Sequence, residues 1–250
     1  MVFNSIFFIF CFLPVFMLIY YLVPGKLRNL LLFLGSLIFY AWGEPVYVIL
    51  MLFSSIFNYY MGTELERLYY DDRKQKINLI FSIIINLAVL VFFKYYGFLL
   101  NTIGGIIGIH IPHPELSLPI GLSFYTFRNL SYLFDIYLSK VSAQRNFLTF
   151  AVYSTMFPYT SAGPIVRYTD IETQLKQRTI NISKFGIGAE LFVKGLAKKV
   201  LLADNLSVLY SSICGHPQMS VFTSWLGILA YTMQLYFDFS GYSDMAIGLG

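Results

Sequence analysis

Long runs of apolar residues, separated by short polar connectors, repeat along this chain of 250 residues. Phe3 to Val23 carries no charge, and Asn78 to Leu100 carries only Lys94. A run of about 20 apolar residues is long enough for a helix to cross the hydrocarbon core of a bilayer. Leu30 to Trp42 and Val46 to Met61 are shorter runs, which need tilt or local thinning to cross. The pattern predicts an all-α, polytopic transmembrane protein.

The second half of the chain is also apolar, but polar residues and helix breakers interrupt it. Leu148 to Pro164 lies between basic connectors, and its Phe157-Pro158 step predicts either a re-entrant hairpin or a pair of tight spans. From Phe185 onward charged residues recur, which favours a helix in the membrane interface or along a cavity. We expect Lys198 and Lys199 in this helix to reach the cytoplasmic headgroups.

The last apolar run, Val221 to Phe237, enters the membrane again and leads into a polar segment. The sequence then stops at Gly250 without a closing loop or tail. We therefore expect residues 1–250 to be the N-terminal portion of one longer transmembrane domain.

Composition and charge support membrane insertion and exclude other classes of protein. Hydrophobic residues make up 57% of the chain, charged residues 12%, and the mean hydropathy is +0.66, which is far from the values of soluble domains. The net charge of +4 comes from basic residues scattered over connectors, which indicates membrane topology and no nucleic-acid partner. If successive apolar runs cross the membrane in opposite directions, the amino terminus lies outside and every basic connector lies in the cytoplasm. Cys11 and Cys214 lack the spacing of a disulfide framework or a metal site.

Polar residues within apolar surroundings are the first candidates for chemistry, because they are costly in hydrocarbon and face cavities or partners. Ser123 and its neighbouring hydroxyl residues are better explained by helix packing than by substrate contact. Arg128 and Asp135 lie two helical turns apart on one helix face. Arg128 sits near mid-span, where a charge needs a partner, so Ser123 and Arg128 stay candidate substrate-binding residues.

Phe157 to Arg167 combines two prolines and a glycine. These residues leave backbone amides and carbonyls without helical hydrogen-bond partners at membrane depth. Such groups are tolerated there only where protein or a water-filled cavity supplies other hydrogen bonds. Gly163 in this turn is a candidate substrate contact. Arg167 can hold a phosphate-bearing donor or a carboxylate through a bidentate fork, or it can be a basic topology anchor, and the residues alone leave both interpretations open.

The segment Gly195 to Asn205 is interpreted as an interfacial turn in which Asp204 caps the next helix. The histidines carry no stronger signal. His110 and His113 fall in a predicted outer loop and His216 in another connector, so each is interpreted as a surface residue. No short motif of a nucleotide-binding protein, a serine hydrolase or a metalloprotease occurs.

The strongest cluster lies near the end of the sequence. Gln234, Asp238 and Tyr242 are spaced at i, i+4 and i+8, so they share one face if the helix persists. Asp238 and Asp244 both need a polar cavity or a partner residue at membrane depth. We interpret these four residues and Ser243 as lining a substrate passage.

These clusters resemble the membrane-bound O-acyltransferase (MBOAT) family, in the bacterial branch of the alginate O-acetyltransferases. The most specific match is Tyr236 to Ala246, which looks like the family pattern at nearly every position. The other matching segments are Arg28-Asn29 with Phe39 to Trp42, Leu118 to Tyr137, Ala143 to Phe147, Ala162 to Arg167, Gly195 to Asn205, and Gln234 to Gly250.

The resemblance implies a multi-helix funnel in the bacterial plasma (inner) membrane. In it, a histidine helps to move an acetyl group from a cytoplasmic donor such as acetyl-CoA to a hydroxyl of an exported polysaccharide, as in alginate biosynthesis. It also implies a periplasmic or extracellular acyltransferase partner, no bound cofactor and no metal. Because the family's catalytic histidine lies downstream of Asp244, we place no catalytic residue in these 250 residues and expect them alone to be inactive.

Two other functions fit the same residues. One is transfer of D-alanine to teichoic acid by the same family, and the other is a membrane transporter of an acyl donor or a glycan, since broken helices and buried charges also mark transport paths. A purely structural membrane subunit explains the hydrophobicity but not the two aspartates at membrane depth.

Overall fold

A computed structural model describes residues 3–108, 117–161, 163–178, 180–216 and 220–250. These residues form α-helices with short 3₁₀ and π segments and contain no β-strand, which confirms the all-α fold class. The α-helices are α1 (Leu13–Leu22), α2 (Arg28–Gly43), α3 (Val48–Arg67), α4 (Asp72–Ile107), α5 (Leu122–Tyr137), α6 (Phe147–Thr155), α7 (Tyr168–Lys176), α8 (Ile182–Ala197), α9 (Asp204–Cys214) and α10 (Val221–Leu249).

The chain divides into two compact units. The central unit comprises Pro24–Ser161 and Ile165–Arg178, and it contains α2 to α7. The terminal unit comprises Met1–Val23, Ala162–Pro164 and Thr179–Gly250, and it contains α1 and α8 to α10.

Two helices of the central unit correct the boundaries expected from hydropathy. Among the described helices, α3 and α4 are the two that are long and apolar enough to cross a membrane, by length and composition. The expectation that the run from Val46 is short was wrong, because α3 continues through polar residues to Arg67 and its 20 residues span about 30 Å. The first apolar run forms only the shorter apolar helix Phe8–Leu22.

The connector between α3 and α4 is much shorter than the polar stretch from Thr63 to Ile77, whose four basic residues all lie within the two helices. It consists of four residues, 68–71, because α4 starts at Asp72. Asp71 caps α4, and its carboxylate accepts a hydrogen bond of 3.1 Å from the amide of Lys74. The Lys74 side chain and amide hold the pKa of Asp71 below its usual range, as expected for an anion at a helix amino terminus.

An aromatic cluster fills the core of the central unit. The rings of Tyr132 and Tyr153 each meet Tyr168 edge to face, at centroid distances of 5.1 and 5.2 Å. The side-chain amide of Gln144 donates to the Tyr168 hydroxyl at 2.7 Å, and the backbone amide of Gln144 donates to the Tyr132 hydroxyl at 2.9 Å. These bonds satisfy the polar ends of rings that are otherwise buried, so α5, α6 and α7 pack as one layer.

A buried amide pair joins the two longest helices of the central unit. Asn58 of α3 and Asn86 of α4 each donate to the other's side-chain oxygen, at 3.0 and 2.9 Å. Both side chains are almost inaccessible to solvent. The pair fixes the register of α3 against α4, because sliding either helix would leave two amides without partners in an apolar setting.

Aromatic residues also organise the amino-terminal part of the terminal unit. Phe8, Phe12, Phe16 and Tyr20 recur every four residues and stack along one helix face. The helix begins with a π-helical segment, Phe8–Phe12, which continues into α1. Tyr21 meets Phe185 of α8 edge to face at 6.1 Å, so this helix packs against α8 within the unit.

Candidate functional site

The helix that carries the strongest sequence cluster is continuous. Ser220 caps α10, accepting a hydrogen bond of 3.2 Å from the amide of Thr223, and the helix runs without interruption to Leu249. Gln234, Asp238 and Tyr242 are therefore on one helical face, as their spacing predicts, and all three are half-buried.

Two pairs of glycines bring α10 and α8 into close contact. A methyl group added at Gly195 would lie 2.5 Å from the Gly241 carbonyl oxygen, and one added at Gly188 would lie 2.5 Å from the Gly248 carbonyl oxygen. In each helix the two glycines are seven residues apart, which places them on the same face. The helices run antiparallel, and we name this contact the glycine seam.

Two ion pairs lie beside the glycine seam. Lys198 Nζ contacts the Asp244 carboxylate at 2.6 Å and donates to Ser240 Oγ at 3.1 Å. Lys199 Nζ contacts Asp238 at 2.6 Å and also Asp204 at 2.8 Å. The five charged side chains are half-buried or partly exposed, with 47% of the Asp238 side chain accessible.

The arrangement follows from the helical repeat. Asp238 and Asp244 lie three residues before and after Gly241, so each is turned about 60° to one side of the glycine seam. Lys198 and Lys199 follow Gly195 by three and four residues and therefore also diverge to opposite sides. A π-helical segment, Lys198–Ala203, continues α8 directly into α9. Single-turn π-helices are frequent at functional sites.

Two expectations about this segment were wrong. Lys198 and Lys199 bind carboxylates of α10 instead of reaching for headgroups. Asp204 caps no helix, because the preceding residue, Ala203, is already helical, and the Asp204 carboxylate binds Lys199. Tertiary ion pairing overrides both preferences, since a partly buried carboxylate is stabilised by a cation in direct contact with it. The signal available in the sequence was the presence of two lysines and two aspartates, each placed three or four residues from a glycine.

Tyr242 stands at another close contact in the terminal unit. Its ring stacks on Phe3 at a centroid distance of 4.7 Å and an interplanar angle of 7°. The Cα of Gly163 faces the same ring, and a methyl group there would lie 3.3 Å from it. Gly163 has a φ of 103°, which a residue with a side chain rarely adopts. Ser243, on the same helix, is half-buried.

The remaining sequence candidates belong to the central unit. Arg167 is exposed and precedes the first residue of α7 with an extended backbone. Ser123 is half-buried in the first turn of α5, and Arg128 is fully buried in the same helix. The Asp135 carboxylate, on the same helix, lies 3.8 Å from Lys140 Nζ. The substrate-binding assignment of all these residues stays a prediction.

The charged groups beside the glycine seam bind and orient hydroxyls better than they bind anions. Three carboxylates face two ammonium groups, so the cluster has a formal charge of −1 and repels phosphates. Within the described residues, no three side chains from histidine, cysteine, aspartate and glutamate cluster as they would around a metal ion. His216 is exposed after α9 as expected, whereas His110 and His113 lie outside the described residues.

Comparison with known proteins decides the class of protein to which this helical arrangement belongs. The profile of the membrane-bound O-acyltransferase family matches residues 46–250, which include α3 to α10 and the whole glycine seam. The chain belongs to the MBOAT family. The family is membrane-bound, which agrees with the apolar composition and with the two candidate spans.

The curated relatives are O-acetylases of bacteria. A probable alginate O-acetylase of Pseudomonas aeruginosa is 41% identical over 254 residues, covering 100% of this chain and 49% of the relative. The corresponding protein of Azotobacter vinelandii is 40% identical, covering 100% and 51%. A peptidoglycan O-acetyltransferase of Helicobacter pylori is 33% identical over 285 residues, covering 100% and 54%. The chain therefore spans about half the length of the curated relatives that it matches.

Proposed function

We propose that this chain is part of a membrane-bound O-acetyltransferase that modifies hydroxyls of an exported cell-surface polysaccharide. The observation that carries the proposal is the identity of about 40% with alginate O-acetylases along the whole chain. Similarity to a peptidoglycan O-acetyltransferase supports the same reaction on a different cell-surface acceptor. The donor in this proposal is a cytoplasmic acetyl carrier such as acetyl-CoA.

The proposed location is the bacterial inner membrane, with several crossings. The helices α3 and α4 supply two of them, and the basic residues at their adjoining ends are on the cytoplasmic side. The interruption between α6 and the following 3₁₀ turn supports a re-entrant segment, since irregular backbone at membrane depth needs protein or a cavity around it.

In the proposed mechanism, the residues beside the glycine seam position the acceptor and do not perform the proton transfer. Asp238 is the most accessible of the three carboxylates beside the glycine seam. Gln234, Tyr242 and Ser243 lie within five residues of it on α10. Carboxylate and amide oxygens accept hydrogen bonds from sugar hydroxyls and thereby orient them toward a reacting group. Deprotonation of the acceptor falls to a histidine that these 250 residues do not supply. A periplasmic or extracellular acyltransferase partner receives or delivers the acetyl group.

The test is Asp238→Ala in the complete protein encoded by the parent gene. We expect acetyl esters on the exported polysaccharide to fall by about 100-fold or more, because the acceptor loses an orienting contact that is worth several kcal/mol. Protein abundance should stay near normal, since Lys199 keeps Asp204 as a partner. The readout is ester content per unit of purified polysaccharide, with D-alanyl esters measured in parallel.

A matched control is Glu190→Gln, which removes a carboxylate from an exposed ion pair with Lys194 on α8. This variant should retain full acetylation. Unchanged acetylation in Asp238→Ala would remove Asp238 from the acceptor site. Finding D-alanyl esters in place of acetyl esters would replace the proposed reaction with D-alanine transfer.

A further inference from the structure

Arg128 is a buried cation whose environment is unusual. Only 1% of its surface is accessible, and it is the largest fully buried side chain in the described residues. Arginine is almost never buried to this extent unless its charge is compensated. The contacts of its guanidinium group with the backbone supply part of that compensation.

The guanidinium group binds the backbone at the end of α6. Nη1 donates to the carbonyl oxygens of Tyr153 at 3.1 Å and of Ser154 at 3.3 Å. Nη2 donates to the carbonyl oxygen of Tyr159. The ring of Tyr159 also lies 5.8 Å from the guanidinium carbon, within the range of a cation–π contact.

These carbonyls lack helical partners because α6 is interrupted. The helix ends at Thr155, Met156 adopts an extended backbone, and Pro158 in the following 3₁₀ turn has no amide to donate. The last carbonyls of a helix carry a partial negative charge of about half a unit. A guanidinium with several donors in one plane can bind carbonyls on both sides of the interruption, which a single ammonium cannot do.

Other side chains complete the same interruption. Thr160 Oγ1 lies 2.8 Å from the carbonyl oxygens of both Thr155 and Met156 at the end of α6, and its single hydrogen is shared between them. The amide of Phe157 donates to Ser36 Oγ at 3.0 Å. Gly121, at the amino end of α5, has a φ of 75° and packs its Cα against the Thr160 carbonyl group. The interruption is therefore held by α2 and by two points on α5.

We propose that Arg128 is a positioning residue that caps α6 and holds residues 156–160 in their interrupted conformation, and that it does not bind the anionic acyl donor. The terminal nitrogens of the guanidinium group donate to three carbonyl oxygens and the side chain is closed off from solvent, so it presents no surface to an acyl donor. The proposal goes beyond the proposed acyltransferase activity, and its structural part does not depend on that activity.

Cysteine labelling in the complete protein tests the structural part. Cys11→Ser and Cys214→Ser, with serine in place of any cysteine after residue 250, remove the native thiols, and Met156→Cys places a half-buried reporter in the interruption. We expect Arg128→Gln to raise the maleimide labelling rate at position 156 by about tenfold or more, because hydrogen bonds from a charged donor are lost there. Arg128→Lys keeps the charge but not the planar fork and should give an intermediate rate.

Two controls separate local loosening from global unfolding. Met51→Cys reports on a fully buried site in α3, and its labelling should not change in Arg128→Gln. Arg67→Gln removes an exposed arginine from the same unit and should leave both reporters unchanged. Equal acceleration at positions 51 and 156, or no acceleration at position 156, would overturn the proposal.

The functional part of the proposal rests on the proposed acetyltransferase activity, and enzyme kinetics test it. We expect Arg128→Gln to lower kcat while KM for the acyl donor stays within about twofold, because the donor keeps all its contacts. A large rise in KM with unchanged labelling at position 156 would overturn the proposal and return Arg128 to donor binding. An absence of acetyl transfer in the parent protein would contradict the proposed function and leave the labelling result standing.

Discussion

The two units stabilise charges in apolar surroundings by different means. Beside the glycine seam of the terminal unit, Lys198 and Lys199 bind carboxylates and stay partly accessible. In the central unit, Arg128 is inaccessible and binds backbone carbonyls at the end of a helix. Complete burial of an ion pair costs the desolvation of two charges, whereas a helix carboxyl end already carries a fixed partial charge that must be satisfied.

Because of this difference, Asp238 can bind a further hydrogen-bond partner, whereas the carbonyls bound by Arg128 cannot. Asp238 has 47% of its side chain accessible, so a hydroxyl can share its hydrogen bonds without breaking the contact to Lys199. The carbonyls bound by Arg128 are part of the backbone and have no second position. We therefore propose that Asp238 contacts substrate and that Arg128 serves as structural support.

Charge reversal across the glycine seam should have the largest effect on stability. Lys198→Asp leaves Asp244 facing a second carboxylate, and we expect a loss of about 3 kcal/mol, discounted from a fully buried pair because Lys198 is partly exposed. Thermal unfolding in detergent measures the loss. The double variant Lys198→Asp with Asp244→Lys should recover most of it.

A double variant that is no more stable than Lys198→Asp would mean that the two side chains do not interact. Glu190→Gln is the matched control within α8, since its pair with Lys194 has the same distance of 2.6 Å but is exposed. Its unfolding temperature should stay within about one degree of the parent protein.

A methyl group at the glycine seam should have the next largest effect. Gly195→Ala places Cβ 2.5 Å from the Gly241 carbonyl oxygen, so α8 and α10 must separate, and we expect a loss of about 2 kcal/mol. Gly186→Ala, also in α8, meets nothing within 4 Å and should stabilise the helix by up to about 1 kcal/mol. Thermal unfolding of both variants measures the difference in stability between them. Equal effects at the two positions would show that the seam is not tightly packed.

The smallest effect is expected from the amide pair of the central unit. Asn58→Leu leaves the Asn86 side chain without its reciprocal partner, and we expect a loss of about 1.5 kcal/mol. The double variant with Asn86→Leu removes both amides and should lose less than the single variant. Unfolding measurements on the parent protein, the two single variants and the double variant form a double-mutant cycle, and strict additivity would contradict the pairing.

Parts of this fold and site could be predicted from local patterns. Apolar runs predicted the helices, and the Phe157-Pro158 step predicted the interruption, because both depend on residues that are neighbours in the chain. The spacing of Gln234, Asp238 and Tyr242 also predicted their common face correctly. The helix ends near Arg67 and Asp72 were missed, since polar residues can continue a helix where tertiary contacts support them.

Sequence alone determined the class of this protein. Its apolar composition indicated a membrane protein, the segment from Tyr236 to Ala246 resembled the acyltransferase family, and the family match confirmed that resemblance. Only the tertiary structure decided which charges meet. Lys199 lies 39 positions before Asp238 in the chain, and Arg128 lies 31 positions before Tyr159. Hydropathy indicates that burying each charge is unfavourable, but it does not identify the residue that compensates the charge. Helix packing brings that residue close from a distant part of the chain.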